Sequence, residues 1–450
     1  MVVDMGTVKM ELKYLLIRPK YFATVAKVEP LALEYLSGII KDEGKKCEIL
    51  DEFVHGYLFR YKRVADKIKK EGYNVIAFHL NANEVSYALK TIEKLKRQFK
   101  DLKIIVGGPE PTVNYKDFCI DGIDIVYFDN GLSSFKEMVR HDLDGEVLGR
   151  CTGICYKTGE KWRENQGSLP VDDFISEPDR TVFFKDMKKY FIVGKGRFAM
   201  LKTSFSCPQK CSFCFCKKLN SGKYTERPVE KVIKEIIELR HDRIFIIDDD
   251  FLVNKQRVVE ICNALIEKNI RKLFMIFARA DSIIMNRDIL PLLHKAGFRD
   301  FSVGIEAVND EYLKDYNKNS TTDTNEEAID LLNKNGILCN GLFVISHKFS
   351  QKDFFRLYRF IARKKLKWVL FSMITPYKGT EAYEEFKDRI LRYIPKRLEG
   401  THILVKPEKM SRLLYYINFH MLYILHYPRL YYYTVIKKYD RLVGWGEEKK

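Results

Sequence analysis

The chain has no run of about 18 or more apolar residues, so no membrane-spanning helix is expected. Its nearest approach, Leu413 to Tyr427, is short and broken by Asn418, His420 and His426. It opens without a cleavable apolar signal segment, and its ten cysteines are scattered through 450 lysine-rich residues. Those absences point to a reducing, cytoplasmic setting and away from a disulfide scaffold. A closed zinc site usually takes two short pairs of Cys or His. Here the only fourth candidate near the one dense cysteine group is Cys216, poorly placed to close a tetrahedron. Nor is there a concentrated basic tract behind the formal charge of +17. The basic residues are spread along helix-like segments such as Arg60 to Lys70 and Lys90 to Lys103, which read as solvated faces, and no nucleic-acid partner is expected.

What is present is the run Ser206-Cys-Pro-Gln-Lys-Cys-Ser-Phe-Cys-Phe-Cys216, directly after the apolar, strand-like stretch Phe198 to Phe205. Cys207, Cys211 and Cys214 are spaced C-x3-C-x2-C. A 4Fe-4S cluster normally takes four Cys thiolates, so three compact thiols leave one iron open to a ligand from outside the protein.

With 46% hydrophobic and 31% charged residues, the length allows two or three domains with sizeable cores. Strand-like runs at Leu12 to Ile17, Cys47 to Leu50, Val75 to Phe78, Lys103 to Val106 and Ile123 to Phe128 alternate with helical patterns at Leu31 to Glu43, Tyr61 to Glu71 and Glu84 to Phe99. That alternation predicts an α/β domain with a doubly wound, Rossmann-like parallel sheet over residues 1–149. The strand ends carry Arg18-Pro19, Asp51, the loop Gly107-Gly108-Pro109-Glu110-Pro111-Thr112, and Asp129-Asn130-Gly131. Paired glycines admit close approach of a flat ligand, though Gly-Gly-Pro is also an ordinary turn. Residues 150–196 read as a linker.

Alternation resumes over 197–393, with strands expected at Arg197 to Phe205, Arg243 to Ile247, Leu273 to Phe277, Asp300 to Ile305, Leu338 to Ile345 and Trp368 to Met373. Six such units predict a partial (β/α)6 barrel, whose function concentrates at the carboxyl face. The polar residues there are the cysteine loop, Asp248-Asp249-Asp250, Arg279 with Asp281, Glu306, Ser346-His347, and Thr375 to Thr380. Such a ring could hold a zwitterion, a carboxylate on the Arg279 fork and an ammonium on the aspartates or Glu306. Each residue alone is more often a cap or a surface charge.

The cysteine loop with Phe213 before its third Cys resembles that of radical S-adenosylmethionine (radical SAM) enzymes. The N-terminal sheet, Gly107 to Thr112, Pro178-Asp179-Arg180, Asp248 to Phe251, Gly304-Ile305-Glu306 and Thr375 to Thr380 narrow the likeness to the subgroup with a cobalamin-binding domain ahead of the radical domain, over roughly residues 10–390. The resemblance implies that Cys207, Cys211 and Cys214 are catalytic and hold the 4Fe-4S metal cluster. S-adenosylmethionine would chelate its open iron, with Phe213 against the adenine, Asp248, Asp249 and Asp250 toward the ammonium, Arg279 on the carboxylate, and Glu306 on the ribose or ammonium. It implies cobalamin near Gly107, Gly108, Pro109, Thr112, Asn130 and Gly131. It also implies a 5′-deoxyadenosyl radical, and methylation of an unactivated carbon through methylcobalamin, or in some relatives ring closure or rearrangement. A small-molecule or peptide substrate and an external electron donor such as flavodoxin or ferredoxin follow.

The sequence departs from that pattern. The Asp-x-His-x-x-Gly signature for cobalt is absent, Asp51-Glu-Phe-Val-His55-Gly56 having the wrong spacing. Asp129-Asn130-Gly131 stands where relatives often carry Gly-Glu-Gly, and Ile345-Ser346 where a glycine is frequent. A methylthiotransferase-type radical enzyme would need three further cluster cysteines in the first domain, and Cys47, Cys119, Cys151 and Cys155 do not fall in strand-end loops. A non-catalytic electron carrier or zinc-stabilised nucleic-acid binder would not need the polar ring.

Residues 394–450 are expected to form a helical, aromatic-rich C-terminal domain, a helix pair burying an aromatic face on the barrel. A substrate-shaping lid or contact with membrane headgroups is the alternative reading. His402, His420 and His426 are acid/base candidates or packed histidines.

Overall fold

The computed structural model describes residues 11–19, 26–55, 60–128, 132–167, 176–433 and 438–444. The chain divides into two compact units. The first comprises residues 1–21, 30–169 and 174–185, and the second residues 22–29, 170–173 and 186–450.

The first unit is built on a seven-stranded sheet in the order Lys46–Asp51, Lys13–Arg18, Val75–His79, Lys103–Gly107, Ile125–Tyr127, Ile154–Thr158 and Lys161–Asn165. The first five strands run parallel and the last two join antiparallel. Tyr14 to Ile17 are wholly buried, as expected of a strand covered on both faces, where aliphatic runs replace alternation. One core gathers Leu15, Ile76, Phe78 and Ile104, the other Tyr14, Leu16, Val75 and Ile105. The stretch expected as a linker thus carries two strands of this sheet. Its Glu177-Pro178-Asp179 segment lies across the helix Leu31–Asp42, where Asp179 accepts from Ser37 at 2.7 Å and from Lys41 at 2.6 Å. A Cβ on Gly38 would stand 2.2 Å from the Glu177 carbonyl oxygen, so only glycine permits this crossing.

The second unit holds six parallel strands in sequence order: Ala199–Leu201, Arg243–Ile246, Leu273–Arg279, Phe298–Glu306, Leu338–Ile345 and Trp368–Met373. The run expected as one strand from Arg197 to Phe205 splits. Buried Asp248 accepts from the Thr203 backbone N–H at 2.6 Å and the Ser204 hydroxyl at 2.7 Å. That pulls Ser204–Phe205 out of the barrel to pair antiparallel with Thr225–Glu226, closing the base of the cysteine loop.

At the amino-terminal half of these strands Lys195 is buried against Asp300 at 2.9 Å, over the Trp368 ring, with Tyr439 and Asn340 also donating to Asp300. Among the described residues the C-terminal region, expected to be helical from residue 394, carries a long helix, Arg412–Tyr431, and a short one, Tyr439–Leu442, after an irregular stretch in which Val405 bridges back to Ile390. The long helix lies along the last barrel strand. Tyr423 donates to the Phe371 carbonyl at 2.8 Å and accepts from its N–H at 3.0 Å, satisfying an edge that would otherwise stand unpaired. Among the described residues, no helix is long and apolar enough to cross a membrane.

Candidate functional site

The cysteine loop is held from two sides within the second unit. The Ser212 N–H donates to the Tyr316 carbonyl at 3.0 Å, the Asn317 amide to the Lys210 carbonyl at 2.9 Å, and the Ala382 N–H to the Ser212 carbonyl at 3.0 Å. Phe213 sits edge-on to Tyr316, ring centroids 5.5 Å apart. All three thiols are free.

Burial pushes the Cys207 thiol up to about 12. Burial also raises Cys211, against the pull of Lys318 and Arg279. Buried thiols of this kind become thiolates when a metal ion takes the proton's place. Cys214 is held below the usual thiol range by a hydrogen bond from Cys216, so Cys216 serves its neighbour. Among the described residues no three His, Cys, Asp or Glu side chains are gathered as one metal ion would require. A cubane takes each thiolate on a separate iron. The donor set fits a 4Fe-4S cluster.

Around the loop, Arg279 donates to the Cys211 sulfur at 3.1 Å and holds Asp281 through two nitrogens at 2.9 Å each. Glu306 closes its strand in a left-handed conformation, φ 61°. Its carboxylate accepts from Lys318 at 2.7 Å, and the same ammonium reaches the Gly304 carbonyl at 2.8 Å. Lys318 carries no motif signal, and only the fold brings it beside Cys211 and Glu306.

The three aspartates divide. Asp248 is fully buried on Thr203 and Ser204. Asp250 is fully buried too, accepting from Ser282 at 2.5 Å and the Leu252 N–H at 3.2 Å, its carboxyl pushed up to about 6 by burial. Asp249 remains partly exposed beside Lys202, 3.8 Å away, and its charge acts on Cys214 and Cys216. Thr380 caps the helix Glu381–Phe386, and His347 is buried against Glu408 at 3.3 Å. Among the C-terminal histidines, His426 is buried on the Lys367 carbonyl at 3.3 Å and pushed down to about 4 by burial. His402 pairs with Glu399, and His420 meets Tyr416 edge-on.

In the first unit the strand ends bring Arg18 and Asp51 into a buried pair at 2.6 and 2.9 Å. His79 lies at the next strand end, its imidazole pushed down to about 4 by burial and then by the Arg18 charge. Gly108, φ 104°, leads into the helix Pro109–Asn114, and a Cβ there would meet the Leu80 nitrogen at 2.8 Å. The Thr112 hydroxyl donates back to the Gly108 carbonyl at 2.9 Å. A Cβ on Gly107 would likewise meet the Tyr127 carbonyl oxygen at 3.4 Å, and this Gly107-Gly108 strand end, free of side chains, fits the edge of a flat macrocycle. Asn130 and Gly131 lie outside the described residues. Cys119 and Cys155 stand 3.0 Å apart, sulfur to sulfur, and Cys151 donates to the Ser134 carbonyl.

A partial barrel with a three-cysteine loop at its carboxyl face defines an iron–sulfur enzyme. The chain matches the radical SAM superfamily over residues 201–361 and the B12 binding domain over residues 23–139. It is a radical SAM enzyme of the subgroup with a cobalamin-binding domain ahead of the radical domain, and its cofactors are a 4Fe-4S cluster, S-adenosylmethionine and cobalamin.

The chain is 24% identical over 372 residues to the hopanoid C-3 methylase of Methylococcus capsulatus, covering 81% of this chain and 70% of that protein. It is 25% identical over 418 residues to the anaerobic magnesium-protoporphyrin IX monomethyl ester cyclase of Rubrivivax gelatinosus, covering 89% and 75%. Its fold is similar to that of the radical S-adenosylmethionine methyltransferase TsrM from Kitasatospora setae, solved with cobalamin and a [4Fe-4S] cluster. The TM-score is 0.69 at 16% identity, over 90% of this chain and 84% of that one.

Proposed function

We propose that this chain methylates an unactivated carbon of a small-molecule or peptide substrate. The observation that carries the reading is the union, on one chain, of a B12-binding domain with a three-cysteine loop backed by Arg279. When bound, the cluster supplies the electron that cleaves the sulfonium of S-adenosylmethionine, and cobalamin carries the methyl group. The protein's own part is binding, orientation and exclusion of water. Cys207, Cys211 and Cys214 hold the cluster in this reading, and Phe213, braced by Tyr316, takes the adenine. Asp249, the one partly exposed aspartate of its run, meets the ammonium. Arg279 acts on Cys211, its fork already shared with Asp281, so the carboxylate of S-adenosylmethionine would have to displace Asp281. Glu306, paired with Lys318, takes the ribose. The electron comes from a small one-electron carrier such as flavodoxin or ferredoxin.

The alignment with the cyclase over 89% of the chain favours a second reading, ring closure by the same site. The test is anaerobic incubation of the reconstituted protein with S-adenosylmethionine carrying a deuterated methyl group and an extract of cells lacking its gene. A metabolite that gains the labelled methyl supports methylation. One that loses hydrogens without gaining label favours ring closure. Cleavage of S-adenosylmethionine by a Cys211→Ala variant overturns both.

A further inference from the structure

The helix Arg412–Tyr431 carries apolar side chains on both of its faces, yet only one face is covered. Tyr415, Phe419, Leu422 and His426 are buried. Leu413, Ile417, Ile424, Leu425, Tyr427 and Tyr431 point outward, with Leu413 70%, Ile424 60% and Tyr427 62% exposed. Among the described residues, ten of the seventeen exposed large hydrophobic side chains fall between Leu413 and Tyr432, so the exposure is concentrated on one stripe. A helix apolar on both faces calls for a second apolar partner.

Charge identifies that partner. No Asp or Glu occurs between Glu408 and Asp440, while Lys409 and Arg412 are exposed at the start of the stripe and Arg429 is half-buried beside it. An aliphatic and tyrosine face whose own charged residues, Arg412 and Arg429, are both cationic suits a layer with hydrocarbon below and anionic headgroups at its surface, tyrosine hydroxyls lying at headgroup depth. A nucleic acid would have no use for Leu413, Ile417 and Ile424. A second copy would set Arg412 near Arg429 across a twofold axis, with no acidic residue on the stripe to offset them.

We propose that the outward face of the helix Arg412–Tyr431 seats this chain on an anionic lipid bilayer, the helix lying in the plane of the interface. The seat is joined to the barrel mouth. Tyr415, in the first turns of the helix, donates to the carbonyls of Ile345 and Ser346 at 3.1 Å each, at the carboxyl rim where the cysteine loop lies. Binding of this kind needs no cofactor turnover, so it stands or falls apart from the methylation reading.

Vesicle flotation of the full reconstituted chain tests it. The expected result is binding to phosphatidylcholine vesicles containing phosphatidylglycerol, weaker binding to phosphatidylcholine alone, and loss at high salt. Leu413→Glu with Ile424→Glu should lower partitioning by about tenfold or more, each removing a buried aliphatic chain. Ile237→Glu, at an exposed hydrophobic residue elsewhere, should bind as the parent does. Unchanged thermal melting and iron content in the variants would confirm that folding is intact. Equal binding by the double variant, no preference for anionic vesicles, a dimer abolished by the same substitutions, or capture of single-stranded oligonucleotide in preference to vesicles would each overturn the proposal.

Discussion

Arg279 and Cys211 meet at 3.1 Å, the guanidinium donating to the sulfur from a side chain whose other two nitrogens are fixed by Asp281. A cation locked in that way cannot swing aside, and its charge falls on whatever the sulfur coordinates. Replacing it with Arg279→Gln removes a positive charge from beside the cluster, which destabilises the state holding the extra electron. The midpoint potential should become more negative by about 60 mV, one tenfold change in a one-electron equilibrium. Redox titration followed by electron paramagnetic resonance reads this directly, and Arg279→Lys should lie between the two.

Lys318 and Glu306 form a pair that is almost entirely out of solvent, with 2% and 12% of the two side chains exposed. Lys318→Met leaves a buried carboxylate without its cation and should cost about 3–5 kcal/mol of stability. Adding Glu306→Gln should recover a large part of that loss. Denaturant midpoints of the two single variants and the double variant check the coupling.

Glu84 provides a pH dependence. Burial raises its carboxyl to about 7, against hydrogen bonds from Asn81. The folded chain therefore binds this proton more tightly than the unfolded chain. The stability it contributes is complete below the unfolded carboxylate range and is lost as pH rises through about 7. Glu84→Gln should flatten the melting temperature between roughly pH 4.5 and 7 and stabilise the protein above that window by on the order of 2–3 kcal/mol.

Gly38 offers a reversal of helix propensity. In an exposed helix interior, alanine in place of glycine stabilises by about 1 kcal/mol. At Gly38 the new Cβ would press on the Glu177 carbonyl at 2.2 Å, so Gly38→Ala should instead destabilise by about 1–3 kcal/mol. A lowered urea midpoint with an unchanged slope is the expected signature.

Much of the molecule is legible residue by residue. The strands Leu338–Ile345 and Trp368–Met373 coincide with their expected bounds, because each is a short, mostly apolar run followed by polar or turn residues. The first barrel strand is shorter than its apolar pattern, because Asp248, distant in sequence, draws Thr203 and Ser204 away. The aspartate triplet reads as one recognition group, yet burial splits it into two structural carboxylates and one partly exposed. The Cys119 and Cys155 contact and the role of Gly38 belong to pairings between separate elements, which local pattern does not encode.

By itself the sequence determined the alternating α/β architecture and the three-thiol loop with its 4Fe-4S cluster, since hydrophobic period and ligand spacing are local properties of the chain; S-adenosylmethionine and cobalamin came from the family resemblance. Only the tertiary structure decided that Lys318 neutralises Glu306, that Arg279 is committed to Cys211 and Asp281, and that one stripe of the C-terminal helix stays uncovered. Those outcomes depend on which groups lose their water on folding and which surfaces find a neighbour, and burial and pairing of that kind arise from contacts far apart in the chain.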